Sequence, residues 1–451
     1  MRFDCIIANG TLVFPDAEPA ELDIAIKDGR IAALLQRGAP REWTRDWIDA
    51  SGLHVFPGLI DAHIHFGFAE PVTEYTTETA CAAQGGFTTV LGYFLNNDGY
   101  AGVFDREIGH ARARAHVDFG FHFSTASEQH LAELESYVAD YGVSSFKYFM
   151  NFKGEEGRYL GLDGTDDGYL YALLEEAARI GDVTVVIHTE NIEIVNRLRR
   201  EFQLAGRDTL RDWCLSKPAF TEAESVVRAC YFAEQTGATI YVPHLSSGLA
   251  LDEVRRWRQR YERIRVETCP HYLTHSLDAP IGSLGKANPP FRTEDDIAAL
   301  WEGLEDGTID VVASDHVPRL RATKDKPMWQ ASQGFPGTAT ILPVLLGEGY
   351  HKGRLSLRRI AQLLCSAPAD IFRLPAKGGF RIGMDADFAL VDLGLTRRVV
   401  AAELGSYSDY SLYDGWELTG WPVATILRGT PVMQDGRIVG PPGLGRYLER
   451  R

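Results

Sequence analysis

Short apolar runs, each closing on polar residues, recur through the middle of the chain at nearly even spacing. They cover 55–64, 87–94, 117–123, 143–150, 183–188, 239–244, 264–269 and 309–314, eight in all. Runs of this length read as strands buried on both faces. Between them apolar residues return at helical spacing in 131–141, 170–180, 222–236, 249–261 and 294–305. Thr221 and Thr293 stand where helix N-caps belong, and Gly142, Gly181 and Gly237 where helices should stop. Strand–helix alternation implies a parallel sheet, because a parallel connection must cross the face of the sheet. Eight such units over 55–314 fit a (β/α)8 TIM-like barrel, an α/β fold, better than a doubly wound sheet. Two further helices, 338–348 and 356–371, are expected to pack outside it.

The flanks have a different pattern. Residues 1–54 are β-rich, with turns at Asn9-Gly10 and Lys27-Asp28-Gly29, and residues 377–440 return to that style. Asp28-Gly29-Arg30-Ile31 recurs as Asp435-Gly436-Arg437-Ile438, and Asn9-Gly10-Thr11 resembles Arg428-Gly429-Thr430. The expected organisation is a small β-sandwich domain built from 1–54 and 377–440, with a barrel of 55–376 inserted between its halves. Residues 441–451 are expected to form an extended arm on the surface.

Composition narrows the function. A length of 451 residues exceeds one ordinary core, which agrees with a large domain plus a small one. The net charge of −16 works against binding a polyanion, so no nucleic-acid partner is expected. No h-region opens the chain, and no apolar stretch approaches the ~20 residues of a membrane helix, so a cytoplasmic protein with no membrane partner is expected. Six cysteines lie scattered without CxxC spacing and read as reduced thiols. Any metal must then rest on histidine and carboxylate.

Asp61-Ala-His63-Ile-His65 ends the first barrel run. Side chains at i and i+2 on a strand point the same way, so both imidazoles can meet one ion. Alone, such a pair among thirteen histidines is a weak sign. However, His188 ends the fifth run, His244 the sixth, and Asp315 follows the eighth. Barrel enzymes build their sites at these strand ends, so the five residues are expected to converge. Lys147 is read as ending the alternating strand 143–150, where an unpaired ammonium is costly to bury. Two readings stay open for it: a lysine reaching the rim or an acidic partner, or a neutral amine that adds carbon dioxide. The resulting carbamate would be an anion able to bridge two cations.

Seven segments in order carry a resemblance: Pro57-Gly-Leu-Ile-Asp-Ala-His-Ile-His65, Ser145-Phe-Lys-Tyr-Phe-Met150, Ile187-His-Thr-Glu190, His244-Leu-Ser-Ser247, Glu267-Thr-Cys-Pro-His-Tyr-Leu273, Asn288-Pro-Pro-Phe-Arg292 and Ser314-Asp-His316. The chain resembles the amidohydrolase superfamily, in its dihydropyrimidinase, hydantoinase and allantoinase branch. The resemblance implies two divalent metal ions, with zinc expected. It places His63, His65 and Asp315 on one ion, His188 and His244 on the other, and carboxylated Lys147 (N6-carboxylysine) between them. It further implies hydrolysis of a cyclic amide, imide or ureide by an activated water, with Asp315 as general base and acid. A homo-oligomer, dimer or tetramer, is expected with it. Allantoinase- or dihydroorotase-like ureide hydrolysis is the alternative within enzymes. The branch also holds non-catalytic scaffold proteins that have lost metal ligands, whereas this chain keeps all six.

The substrate shell departs from the pattern. Hydantoinases carry a tyrosine five residues after the bridging lysine, and its hydroxyl assists the oxyanion; here the position is Phe152, which cannot donate. Asn151, Tyr148 and Asn288 are the candidate substitutes. Asn288 stands where hydantoinases tend to have serine, and Gly67 where dihydroorotase and allantoinase carry arginine or asparagine. Aromatic residues near the strand ends, among them Phe66, Phe68, Tyr93 and Phe149, are available to face a planar ring.

Overall fold

The computed structural model describes residues 2–159, 161 and 164–450. The chain forms two compact units, 1–91, 108–120 and 337–448 in the first, and 92–107, 121–336 and 449–451 in the second.

Ten strands from both ends of the chain make one mixed sheet in the first unit. His54–Pro57 joins its halves, with Val55 opposite Leu12 in a parallel pair and opposite Leu390 in an antiparallel one. Leu12, Ile24, Ile26, Val55, Phe388, Leu390 and Ile426 form its buried core. The repeated Asp-Gly turns have a common cause. Asp28-Gly29, Arg428-Gly429 and Asp435-Gly436 each place two successive residues at positive φ, between 48° and 77°. That is the two-residue hairpin turn whose twist matches the flanking strands, and it favours Asp or Asn followed by Gly.

The apolar run 55–64, expected as one strand, is two. Gly58 divides it, its N–H donating to the Asp387 carbonyl. A side chain there would collide with Thr88 Oγ1, so the close approach requires glycine. The second half becomes the first of eight strands: β1 Leu59–His65, β2 Phe87–Phe94, β3 Asp118–Ser124, β4 Ser145–Phe149, β5 Thr184–His188, β6 Thr239–Val242, β7 Ile264–Thr268 and β8 Val311–Val312. They follow one another in chain order, which is the strand order of a (β/α)8 barrel. In the second unit the pairing is parallel throughout, with Phe149 opposite His188, Val186 opposite Tyr241, Val242 opposite Val266 and Thr268 opposite Val312.

The helix signals hold with two corrections. Gly142, Gly181 and Gly237 all sit at positive φ after helix ends. Thr293 caps Glu294–Glu305 in a reciprocal box with Asp296. Thr221 is no cap: the helix starts earlier, at Ala219, behind Pro218, and the Thr221 hydroxyl donates to the Pro218 carbonyl. The segment expected as one helix over 131–141 is two, Glu128–Ala132 and Leu134–Tyr141.

Residues 441–450 run extended, but Phe119 and Arg446–Leu448 exchange backbone hydrogen bonds. A side chain on Gly445 would strike the Val117 carbonyl. Arg450 is wholly buried, its guanidinium donating to Ser145 Oγ and the Phe121 carbonyl.

Candidate metal centre

Lys147 occupies the middle of β4, about as buried as a side chain can be at 1% exposure. Its Nζ lies over the ring of Tyr93 at 4.8 Å and of Phe149 at 5.2 Å. Desolvation pulls its pKa down to about 8, against the opposing pull of Asp315 and Glu267. An amine so placed is far more often neutral near pH 7 than an exposed lysine.

His188 is the last residue of β5, and His244 follows the end of β6 by two. Both are buried, and His188 Nδ1 lies 3.0 Å from His244 Nε2. Two nitrogens bound tetrahedrally at 2.0–2.1 Å from one ion stand about 3.3 Å apart, so the pair already has nearly that separation. His244 is seated by Glu267, which ends the neighbouring β7 apart from one residue. One Glu267 oxygen accepts the His244 N–H at 3.0 Å and the other the Tyr241 hydroxyl at 2.7 Å. His244 and Asp315 both have left-handed backbone, at φ 42° and 50°. Residues other than glycine adopt it at a cost, in tight turns or where the surrounding structure holds them there.

In the first unit, His63 and His65 stand two apart on β1 with ring centroids 5.2 Å apart. The His63 N–H donates to Asp61, whose other oxygen accepts from the Thr338 hydroxyl. The loop that follows is gathered by Glu74. Its carboxylate accepts the N–H groups of Gly67 at 2.5 Å, Phe68 at 3.3 Å, Ala69 at 2.5 Å and Glu70 at 2.7 Å. Gly67 needs no side chain for this, and its φ of 88° favours glycine.

The candidates for the substrate shell separate. Tyr148 faces away from Lys147: its hydroxyl donates to the Asp166 carbonyl at 2.9 Å and its ring stacks on Tyr169. Phe152 lies flat beside His188, centroids 6.4 Å apart, and against Phe149. Asn151 is wholly buried, and neither atom of its amide has a hydrogen-bond partner among the described residues. Asn288 is half-buried with its Oδ1 unpartnered among the described residues.

Sequence reasoning assigned no role to a buried ionic chain beside these strands. Lys217 Nζ reaches Glu190 at 3.1 Å and Glu156 at 3.3 Å, and Arg199 reaches Glu156 at 3.0 Å. Glu190, two residues beyond His188, was its visible sign. Another acidic group, Asp118 with Asp385 and Asp387, has donor atoms close enough for an ion. There the ammonium of Lys377 fills the place, 2.5 Å from Asp118 and Asp387 and 3.0 Å from Asp385.

The paired imidazoles of His188 and His244 are donors of the kind suited to divalent ions such as zinc. Among the described residues no helix is long and apolar enough to cross a membrane, and all six cysteines are free and buried. Comparison with known proteins agrees with the strand-end chemistry. Residues 54–432 match the amidohydrolase family. An allantoinase of Rubrobacter xylanophilus is 36% identical over 463 residues, covering 99% of this chain and 97% of its own. An L-hydantoinase of Paenarthrobacter aurescens is 32% identical over 460 residues, covering 100% and 98%. The solved L-hydantoinase (dihydropyrimidinase) of Arthrobacter aurescens superposes with a TM-score of 0.93 at 32% identity, over 99% of this chain and 100% of that one. With the family matched over most of its length, and relatives this similar end to end, the chain belongs to the amidohydrolase family, in the branch of hydantoinases, dihydropyrimidinases and allantoinases.

Proposed function

We propose that the chain hydrolyses a ring C–N bond of a cyclic amide, imide or ureide, a small-molecule substrate of the hydantoin or dihydropyrimidine kind. The observation that carries this reading is Lys147, a buried amine with its pKa lowered to about 8, on the strand beside the one that ends in His188. As a carbamate it would bridge two ions, one held by His63, His65 and Asp315 and the other by His188 and His244. Those residues would hold two divalent ions, zinc by expectation, which would supply a water of pKa lowered toward 7 and a polarised carbonyl. The Asp315 carboxylate accepts a proton from the attacking water and returns it to the ring nitrogen as the C–N bond breaks, leaving a ring-opened acid. The left-handed backbone of Asp315, at φ 50°, is consistent with a residue held for such a role.

A second reading, opening of an allantoin-like ureide, is favoured by the 36% identity to an allantoinase. The scaffold alternative is opposed by the complete set of six ligand-type residues. Metal analysis joined to a turnover panel of hydantoin, dihydrouracil, allantoin and dihydroorotate tests these together. Two metals per chain and turnover of one ring support the hydrolase, and a chain without bound metal rejects it. A homo-oligomer is supported by exposed Phe220, Tyr231 and Leu249, which light scattering in solution checks. A cytoplasmic location rests on the six free thiols.

A further inference from the structure

Every buried carboxamide must either find partners or be kept for something that arrives later. The chain has seven asparagines. Asn9 donates to Asp49, Asn96 to the Asp98 and Gly99 carbonyls, and Asn97 to the Gly161 carbonyl. Asn191 donates to Glu224 and caps a helix, Asn196 accepts from Arg199, and Asn288 is half-buried with only its Oδ1 buried and unpartnered among the described residues. Asn151 differs from all of these. It is 0% exposed, and both Oδ1 and Nδ2 lack a hydrogen-bond partner among the described residues.

Its position gives the reason. The Met150 N–H before it donates to the His188 carbonyl at 3.2 Å, and the Phe152 ring after it lies 18° from parallel with the His188 ring. Asn151 is thus held between two residues fixed against the same candidate ligand. It directly precedes the position where the resemblance expects a hydroxyl and finds only Phe152.

We propose that Asn151 is a specificity residue that reads the cis C(O)–NH edge of the ring through both ends of its carboxamide. This rests on the hydrolase reading above. A cyclic imide or ureide displays a carbonyl oxygen and an N–H side by side on one edge. A carboxamide is complementary to that edge: Nδ2 donates to the carbonyl while Oδ1 accepts from the N–H, both bonds in one plane. This is the bidentate geometry by which asparagine reads adenine. A tyrosine hydroxyl offers one such bond. The substrate class that follows is a ring whose nitrogen on this edge carries hydrogen, with N-alkylated rings excluded.

The test compares the metal-loaded wild type with Asn151→Leu, an apolar isostere, and Asn151→Asp, which removes the donor. Hydantoin and dihydrouracil are paired with their ring N-methyl derivatives. The wild type should prefer the N–H ring over the N-methyl ring by about a hundredfold in kcat/KM, and Asn151→Leu should nearly abolish the preference. Metal content should stay at the wild-type level in both variants. Asn151→Leu should melt no lower than wild type, because it removes a buried amide with no hydrogen-bond partner among the described residues. Wild-type preference retained in Asn151→Leu, or a clear fall in its Tm, would overturn the inference while leaving the hydrolase reading intact. Metal-loaded wild type that opens none of the rings would instead overturn the reading, and the inference with it.

Discussion

His188 and His244 bring ring nitrogens within 3.0 Å of each other across 56 residues of sequence. Adjacent parallel strands, with Val186 opposite Tyr241, fix that approach before any ion is present. A site held by strands loses little freedom when it binds, and removing one imidazole should leave the other unable to hold the ion alone. His188→Asn and His244→Asn should each lower the metal content by about one ion per chain. Turnover should fall by about 10³-fold or more, given the several kcal/mol a metal supplies. Elemental analysis of the purified variants checks both. Full occupancy in either would remove that histidine from the ligand set.

Much of this arrangement was legible because strand ends are visible in sequence. An apolar run stops where side chains leave the core, and His65 and His188 are the last residues of their strands. What sequence left open depends on distant partners. The run 55–64 looks continuous because both halves are buried, and only the fit of Gly58 against Thr88 shows where it divides. Tyr148 and Asn151 looked equally suitable beside Phe152. The Tyr148 hydroxyl is engaged by the Asp166 carbonyl, and no local pattern announces that carbonyl. The tail reads as an extended surface arm, and the backbone that makes Gly445 necessary, at Val117, is over 300 residues away in sequence.

Lys147 yields a pH prediction. Folding lowers its pKa from 10.5 to about 8, so burial of the ammonium opposes folding below pH 8. That penalty is constant at lower pH and shrinks as pH rises from 8 toward 10.5. At full burial it amounts to about 3 kcal/mol. Lys147→Met should therefore raise the stability of the metal-free protein at pH 7 and raise it little at pH 10, while abolishing metal binding. Denaturant melts at the two pH values measure the difference. By the same pKa, metal uptake with added bicarbonate should be faster at pH 8 than at pH 6.5, since the carbamate forms from the neutral amine.

Lys377 is enclosed by Asp118, Asp385 and Asp387, and Arg428 also reaches Asp118. Those carboxylates hold the ammonium firmly protonated. Removing the cation leaves buried like charges facing one another, a change that typically costs about 3–5 kcal/mol. Lys377→Met should lower the Tm accordingly. The three donors left behind could then take an ion in its place, so calcium should raise the Tm of the variant and leave that of the wild type nearly unchanged. Equal calcium shifts in both proteins would show that the cluster does not gain an ion when the lysine goes.

Glu74 holds the loop after His65 through four backbone N–H groups and is itself fully buried. Desolvation pushes its carboxyl pKa up, and the same four hydrogen bonds pull it back. A carboxylate satisfies them all because both its oxygens only accept. Glutamine presents a donating NH2 to two of these N–H groups, so the contact turns repulsive on one side. Glu74→Gln should destabilise the fold by about 1–3 kcal/mol. If residues 67–70 form a wall for the ring, KM should rise more than kcat falls, whereas the metal content should stay at its wild-type value because His63 and His65 lie on the strand before the loop. Steady-state kinetics beside metal analysis separates the two effects. Loss of metal with unchanged KM would instead place Glu74 in support of the histidines.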